Sequence, residues 1–306
     1  MLQILGLLSF EWLFCLSNLL IKPRMLAYDK GLRMQVKCNK FNSSVYGEWK
    51  KERFQLESEF GYTLSCELLE ACKQDNKKAA DRKIAVLCHA LGCAKFESIK
   101  YAELFIKLGY TVVIYDHRNH GLSGKSFTSM GYFEKYDLKK VIDWCVLRFG
   151  KQCRFVTHGE SMGAATVLLH LDIDSRISAV IADCAYSDLT LLLRHQLKQY
   201  YHIPALLLPL ESCIVYIRAG FWFHKVSPIK AVLRTDTPIL FIHGKRDGFV
   251  PASMSRQMYD CKKRNKAIFL VAKARHAESY CKNRAGYEKR VENFLKHYLE
   301  KDTENA

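Results

Sequence analysis

The stretch FVTHGESMGAA, residues 155–165, places a serine between two glycines, after an apolar run and before a helix-forming run. The spacing of Gly159, Ser161 and Gly163 is typical of a sharp strand-to-helix turn that raises a serine hydroxyl above a sheet. Because glycine has no Cβ atom, the strand and the helix can pack closely on either side of that turn. A pattern this short also arises by chance, so its meaning depends on the sequence around it.

Strand and helix signals alternate along most of the chain. A predicted hairpin over residues 53–71 is followed by β-rich apolar runs that alternate with stretches of helical spacing. The predicted strands cover residues 83–90, 111–117, 154–157, 177–184, 238–243 and 267–272, and the predicted helices cover residues 95–108, 132–149, 162–171 and 287–299. This alternation predicts an α/β fold with a mostly parallel central sheet and helices on both faces.

One apolar, helix-rich block at about residues 187–235 interrupts the alternation. An insertion of this length in a compact domain is usually a lid or a binding element. The lid is predicted to lie over the strand ends, where Ser161 is expected. Its apolar side chains Leu207, Phe221 and Trp222 are the predicted substrate contacts.

Two further side chains complete a candidate catalytic triad. A serine is a poor nucleophile unless a base accepts its proton and an acid orients that base. Asp247 follows the strand predicted at 238–243, and His276 follows the next predicted strand. The carboxyl ends of parallel strands meet at the same edge of a sheet. We therefore expect the side chains of Ser161, Asp247 and His276 to lie together. Asp183, which also ends a buried strand, is the competing acid.

Acyl transfer at a serine also needs N–H donors for the oxyanion that forms on the carbonyl oxygen. Met162 opens the helix after the serine, where N–H groups have no acceptor within the helix. The turn CHALG, residues 88–92, follows the first long strand and offers the amide of Leu91. Met162 and Leu91 are therefore the predicted donors.

Charge and cysteine content narrow the function classes. The chain of 306 residues carries a formal net charge of +16. Its Lys and Arg residues are spread along the sequence, which favours a solvated basic surface, and nucleic acid is not an expected partner. The 12 cysteines form no C-x-x-C pair and have no regular spacing. They predict free thiols in a reducing compartment, with neither a metal site nor a cofactor.

The N-terminal residues 2–21 form an apolar run of about the length that spans a bilayer. Basic residues follow this run and none precedes it, which predicts a cytoplasmic catalytic domain anchored to the cell membrane by residues 1–24. Glu11 argues against a simple span, because a carboxylate is costly at the bilayer centre. The alternative is a helix that docks on protein or lies at the membrane interface. Residues 25–51 are predicted as a linker and residues 52–300 as the catalytic domain.

Four motifs, taken together, resemble the α/β-hydrolase superfamily over roughly residues 52–300. They are YDHRNHGLSG at 115–124, HGESMGA at 158–164, HGKRDGFVP at 243–251 and ARHAES at 274–279. The chain looks most similar to the bacterial serine-aminopeptidase-like and esterase/lipase-like branch. The resemblance implies Ser161 as nucleophile, Asp247 as acid and His276 as base. Two positions differ from the common family pattern, because Ala90 and Asn119 stand where relatives often have glycine.

The leading functional prediction is a serine hydrolase that cleaves carboxylic esters or related acyl bonds through an acyl-enzyme. A serine aminopeptidase-like enzyme is one alternative, with Glu211 as the lid carboxylate available to a substrate ammonium. A thioesterase or acyltransferase is another, and a scaffold without catalysis is disfavoured by the intact triad. The expected partner is a small acyl-ester or peptide-like substrate, with membrane association through residues 2–21.

Overall fold

The computed structural model describes residues 14–37, 43–71, 82–202 and 204–300. An eight-stranded sheet with the order β1-β2-β4-β3-β5-β6-β7-β8 forms the centre. β2 pairs antiparallel with β1 and with β4, and the remaining pairs are parallel. The strands are β1 Lys50–Glu57, β2 Thr63–Glu70, β3 Lys83–Cys88, β4 Tyr110–Tyr115, β5 Arg154–Glu160, β6 Ile177–Asp183, β7 Ile239–Gly244 and β8 Lys266–Val271. The predicted mostly parallel sheet is confirmed.

The central strands are apolar along their length because helices cover both faces of the sheet. In β3, Ala85 and Leu87 belong to one core, while Ile84 and Val86 belong to the core on the opposite face. β1, at the edge, instead alternates between partly buried and exposed residues. The run of buried strands is therefore the part of the sheet that positions the site.

Helices pack against both faces. Ile99–Lys107 and Arg284–Leu299 supply one core, with Tyr101, Phe105 and Tyr287 among its large side chains. The other core receives side chains from the helices Glu134–Phe149, Met162–His170, Pro228–Arg234 and Ala252–Cys261. The predicted α/β architecture, a mostly parallel sheet with helices on both faces, is therefore confirmed.

The helical lid lies between β6 and β7 and has its own apolar core. Leu189, Val215 and Phe221 pack there against Met130 and Met162 of the main domain. The last part of the predicted lid belongs elsewhere, because Val232 packs in a core of the sheet. The lid elements are the helix Leu189–Gln196, the π-helical turn Leu197–Tyr201, the 3₁₀ turns Ala205–Leu207 and Phe223–Lys225, and the helix Leu208–Ala219.

A helix over residues 14–21, here called the N-terminal helix, lies against the lid. Ser17 and Ile21 are fully buried. The Arg218 guanidinium donates hydrogen bonds to the Phe14 carbonyl at 2.7 Å and to Asn18 Oδ1 at 2.7 Å. The described end of the N-terminal segment therefore docks on protein, which was one of the two alternatives.

The predicted membrane anchor covers residues 2–21, of which residues 2–13 lie outside the described part of the chain. Within the described ranges, no single helix has both the length and the apolar composition to cross a bilayer. One bent pair, Ala205–Ala219 with Phe223–Arg234, meets both criteria jointly, with an angle of 81° between its helices. The described residues thus give no support to an N-terminal anchor.

The described parts of the stretch predicted as a linker, residues 25–37 and 43–51, contribute side chains that pack against a core of the sheet. The stretch contains the helices Tyr28–Lys37 and Ser43–Glu48, and β1 begins at its end. Tyr28 meets Phe96 edge to face, with ring centroids 5.3 Å apart, and Trp49 is buried in the same core. The stretch as a whole has no sustained period, although Tyr28–Lys37 alone is amphipathic, so the burial of Trp49 could not be read from the sequence.

Candidate active site

The serine turn joins β5 directly to the helix Met162–His170. The strand continues to Glu160, three residues beyond its predicted end, so Ser161 alone makes the turn. Its backbone has φ 55° and ψ −113°, a strained conformation for a residue with a Cβ. A Cβ on Gly159 would lie 2.2 Å from the Gly163 carbonyl oxygen, and one on Gly163 would lie 2.2 Å from the Cys88 oxygen. Both glycines are therefore required for this close approach.

The three predicted triad side chains meet at the carboxyl edge of the sheet. Ser161 Oγ lies 2.9 Å from His276 Nε2, and His276 Nδ1 lies 2.7 Å from Asp247 Oδ2. Ser161 follows β5, Asp247 follows β7, and His276 follows β8. This chain of hydrogen bonds allows the imidazole to take a proton from the hydroxyl while the carboxylate faces the other ring nitrogen.

Asp247 is held as a carboxylate by its surroundings. Burial opposes ionisation, but hydrogen bonds from His243, His276 and the Val250 N–H outweigh it and lower the pKa of Asp247 to about 2. The Phe249 and Val250 N–H groups donate to Oδ1 at 3.0 and 2.9 Å. The acid is therefore ionised throughout the neutral range.

His243 is a supporting residue that the sequence reasoning missed. Its Nε2 lies 3.1 Å from Asp247 Oδ2, and its Nδ1 lies 2.7 Å from Ser255 Oγ. The ring is fully buried. It lies near the end of β7 and opens the motif HGKRDGFVP, four residues before Asp247, and that spacing was the available signal.

The competing acid, Asp183, lies in a different buried network. Its side chain is 3.4 Å from the Tyr101 hydroxyl, and burial together with nearby Glu160 raises its pKa to about 7. Its carbonyl oxygen accepts a hydrogen bond from the Ser161 N–H at 2.8 Å. Asp183 thus supports the serine turn through its backbone, and its carboxyl group is not the one bonded to His276.

Glu160, next to the serine, forms an ion pair beneath the turn. Lys100 Nζ donates to Glu160 Oε2 at 2.6 Å, and the Tyr101 hydroxyl donates to the same oxygen. Both members of the pair are about 1% exposed. Burial alone would lower the pKa of Lys100, but the negative charge of Glu160 holds that pKa above its usual value. The residue before Ser161 is therefore held in place by a buried ion pair and a hydrogen bond.

The predicted oxyanion donors flank the serine on two sides. Met162 is the first residue of its helix, and Leu91 borders the same cavity as Ser161 and Met162. The turn that carries Leu91 is held by His120, whose Nε2 lies 3.1 Å from the Gly92 nitrogen. Burial lowers the pKa of His120 to about 4, so the neutral ring can accept this hydrogen bond.

The two departures from the family pattern have different structural consequences. Ala90 is not among the described non-glycine residues with positive φ, and Gly92 takes the left-handed backbone of that turn at φ +76°. Asn119 does adopt a left-handed conformation, at φ 61°, which asparagine tolerates better than most residues. Neither substitution therefore distorts the backbone beside the site.

An apolar cavity of about 160 Å³ lies beside Ser161. Its walls come from the N-terminal helix, the turn at Leu91, the lid and the loop after β7. None of the described residues that line it carries a charged side chain. This cavity, here called the acyl cavity, is the space available to a substrate next to the serine.

The lid residues predicted to contact substrate lie elsewhere. Leu207 does not line the acyl cavity, Phe221 is buried in the lid core, and Trp222 faces a second cavity. Their neighbours Leu208 and Phe223 line the acyl cavity instead. Apolar composition alone therefore does not indicate which side chains of the lid face this cavity.

One described group of metal-ligand side chains, Cys184, Asp247 and His276, has its candidate atoms within 4.8 Å of one another. Asp247 and His276 are already bonded to each other. Burial raises the pKa of the Cys184 thiol well above its usual value, so the thiolate that a metal would require is disfavoured. A metal ion here would have to break the hydrogen bonds of the triad.

The family model for the alpha/beta hydrolase fold matches residues 86–205 of this chain. The protein YqkD of Bacillus subtilis (strain 168) is 38% identical over 213 residues, covering 69% of this chain and 70% of that protein. YfhR of Escherichia coli O157:H7 is 25% identical over 226 residues, covering 71% and 72%. Each of these alignments covers more than two thirds of both proteins.

Solved structures with low sequence identity share the fold. The esterase Pf2001 of Pyrococcus furiosus superimposes with a TM-score of 0.67 at 20% identity, covering 85% of this chain and 96% of the esterase. The α/β hydrolase GrgF of Penicillium sp. sh18 gives 0.61 at 17% identity, covering 82% and 99%. With the family match and the relative at 38% identity, these similarities establish that the chain belongs to the α/β-hydrolase superfamily.

Proposed function

We propose that the protein is a serine hydrolase that cleaves carboxylic esters through an acyl-enzyme. The observation that carries the proposal is the continuous hydrogen-bond chain from Ser161 Oγ through His276 to Asp247, with distances of 2.9 and 2.7 Å. The strained backbone of Ser161 aims its hydroxyl away from the sheet and beside an apolar cavity. A purely structural role would not require this combination.

In the proposed acylation step, Ser161 Oγ attacks the ester carbonyl carbon and its proton passes to His276 Nε2. The developing oxyanion accepts hydrogen bonds from the Met162 and Leu91 N–H groups. The C–O bond to the leaving group then breaks, and His276 returns the proton to the departing alkoxide. Asp247 keeps the proton-bearing Nδ1 facing itself and stabilises the imidazolium.

Deacylation repeats the same chemistry with water. His276 takes a proton from a water molecule, whose oxygen attacks the carbonyl carbon of the acyl-Ser161 ester. The second oxyanion collapses, the bond between the acyl carbon and Ser161 Oγ breaks, and His276 reprotonates the serine. The carboxylic acid leaves. Apart from the ester and the water molecule, both proposed steps use only groups of the chain.

The acyl cavity supports a short-to-medium acyl chain as the preferred substrate part. Its volume of about 160 Å³ is close to the roughly 150 Å³ of an apolar protein cavity that accommodates benzene. Each buried methylene contributes about 0.8 kcal/mol. We therefore propose that butyryl and hexanoyl esters are cleaved better than acetyl esters.

The aminopeptidase alternative is less well supported. That activity would require a charged acceptor for the substrate ammonium, and no carboxylate is among the described residues lining the acyl cavity. Glu211 is buried outside that lining, and burial raises its pKa to about 7. A thioesterase or acyltransferase would use the same acyl-enzyme, and differs only in the leaving group or in the acceptor of the acyl group.

The test is a panel of kcat/KM values for p-nitrophenyl esters, alkyl thioesters and aminoacyl p-nitroanilides, measured on the full chain and on Ser161→Ala. The proposal expects the esters to be preferred and Ser161→Ala to abolish their turnover. A higher kcat/KM for the aminoacyl p-nitroanilides would indicate a peptidase. Ester turnover that survives Ser161→Ala in a folded protein would refute the proposal.

A further inference from the structure

The acyl cavity is closed on one side by a segment that precedes the catalytic domain in the sequence. Leu16, Leu19 and Leu20 of the N-terminal helix line the same cavity as Ser161. Leu19 is 55% exposed, so it lies at the rim, whereas Leu20 packs against the lid core. The cavity beside the nucleophile is therefore incomplete without residues 14–21.

Arg218 of the lid fixes this helix in place. Its guanidinium donates to the Phe14 carbonyl, to Ser17 Oγ and to Asn18 Oδ1, and it stacks on the Phe14 ring with 3.6 Å to the centroid. Planar, multidentate contacts of this kind restrain both position and rotation. The three leucines are thus held at a defined depth in the cavity.

The chain after the helix is also tied to the catalytic domain. The Thr128 N–H donates to the Ile21 carbonyl at 3.0 Å, and the Leu26 N–H donates to the Gly92 carbonyl at 3.1 Å. Gly92 follows Leu91, the proposed oxyanion donor. The leucines of this segment therefore line the acyl cavity, and its backbone is hydrogen-bonded to the turn that carries Leu91.

We propose that the N-terminal helix is the specificity-determining wall of the acyl cavity, with Leu20 limiting the length of the acyl chain and Arg218 holding the wall in register. This inference rests on the proposed esterase function for its physiological meaning. The wall itself is a binding surface for saturated acyl chains, whether or not the chain is attached to a cleavable ester.

The test begins with a ladder of p-nitrophenyl esters from acetate to dodecanoate. Leu20→Ala should move the optimum of kcat/KM to longer chains, with about a fourfold gain for each additional methylene that the enlarged cavity buries. Leu20→Trp should move the optimum to shorter chains. Acetate, which has the shortest acyl chain of the series, should change least, by less than about twofold. Cys15→Ala is the matched control, since Cys15 is exposed on the same helix and does not line the cavity.

A binding readout separates this inference from the proposed function. In the Ser161→Ala background, saturated fatty acids from butyrate to dodecanoate displace an apolar fluorophore, and the preferred length should shift with the Leu20 variants as it does for esters. If the wild type cleaves no ester but the preferred fatty-acid length still shifts in the Leu20 variants, the proposed esterase function is refuted. The inference that the N-terminal helix is the wall of the acyl cavity then still holds. If both ladders are unchanged in folded Leu20 variants, the wall is refuted.

Arg218→Met tests the restraint, because it keeps most of the side chain and removes the guanidinium. Amide hydrogen exchange over residues 14–21 should accelerate, and the chain-length optimum should broaden. Lys230→Met, at an exposed cation in the nearby helix Pro228–Arg234, is the control and should change neither. Unaltered exchange and an unaltered optimum in Arg218→Met would overturn the role of Arg218.

Discussion

The catalytic edge of the sheet and the acyl cavity beside it are assembled in different ways. Ser161, Asp247 and His276 each follow a buried parallel strand, and each lies in a short recognisable motif. The cavity is lined in part by two of these motifs, through Ser161, Met162, Phe249 and Val250, but its remaining walls include the N-terminal helix and the lid, in which no motif was recognised. The groups proposed to react are thus placed by local turns at the ends of strands, whereas the shape of the cavity depends on how distant segments pack.

The largest effect is expected at the catalytic edge. Ser161→Ala should lower kcat for butyryl esters by about 10⁴-fold or more, because loss of a triad member removes nucleophile and proton transfer together. Its free energy of unfolding should change little, since alanine has the same Cβ as serine and leaves the backbone of the turn unaltered. Ester hydrolysis by the purified variant is the measurement, with circular dichroism as the control. A loss of less than about tenfold would place the chemistry elsewhere.

Substitution of the two buried acids distinguishes two roles: Asp247 is proposed to orient His276, whereas Asp183 supports the serine turn. Asp247→Asn should cost about 10⁴-fold in kcat, because an amide no longer favours the productive tautomer of His276. Asp183→Asn should cost far less, because its carboxyl group is not bonded to His276 and its carbonyl continues to accept the Ser161 N–H. If Asp183→Asn is the more damaging change in a folded protein, the acid has been assigned to the wrong strand.

His120 tests whether the oxyanion turn contributes independently of the triad. His120→Ala removes the acceptor of the Gly92 N–H and should lower kcat by roughly tenfold, a fraction of the 10²–10³ lost with a whole donor. His120→Gln, whose amide oxygen can accept the same hydrogen bond, should recover part of the rate. KM should change little in both variants. Equal rates in His120→Ala and the wild type would exclude a role for this contact.

Glu211 gives the smallest expected effect, and it concerns the lid alone. Its pKa is raised to about 7 by burial, so the folded state binds its proton more tightly than the unfolded chain does. Stability should therefore fall as pH rises from about 4.5 to about 7 and level off above. Glu211→Gln lacks this titration, and its Tm should exceed that of the wild type by about 2–4 °C at pH 8. At pH 5 the two should agree, and a difference of the same size at both pH values would contradict the assignment.

Much of the fold could be predicted because parallel strands that are covered on both faces must be apolar along their length. Every predicted strand overlaps an observed one. The end of β5 was placed too early, since His158 and Glu160 have no strand signal in their side chains. They remain extended because their backbones pair with β3 and β6, and that pairing is a tertiary property.

The candidate site likewise contains residues that the sequence predicts and residues that depend on tertiary packing. The residues brought to the carboxyl edge were found from motif and strand order, whereas Leu208 and Phe223 were missed in favour of their neighbours. The wall formed by Leu16 and Leu20 was also missed, because residues 2–21 have the composition of a membrane segment. An apolar helix that docks on an apolar cavity has the same hydropathy as one that enters a bilayer, so only the packed structure distinguishes them.

The most direct measurement of the central proposal is the intact mass of the full chain after incubation with a fluorophosphonate, followed by peptide mapping. Such reagents phosphonylate a serine only where a base activates its hydroxyl. One phosphonyl group on Ser161, with loss of ester hydrolysis in proportion to labelling and no labelling of Ser161→Ala, is the expected result. A folded protein that hydrolyses esters while Ser161 stays unmodified would contradict the proposed mechanism.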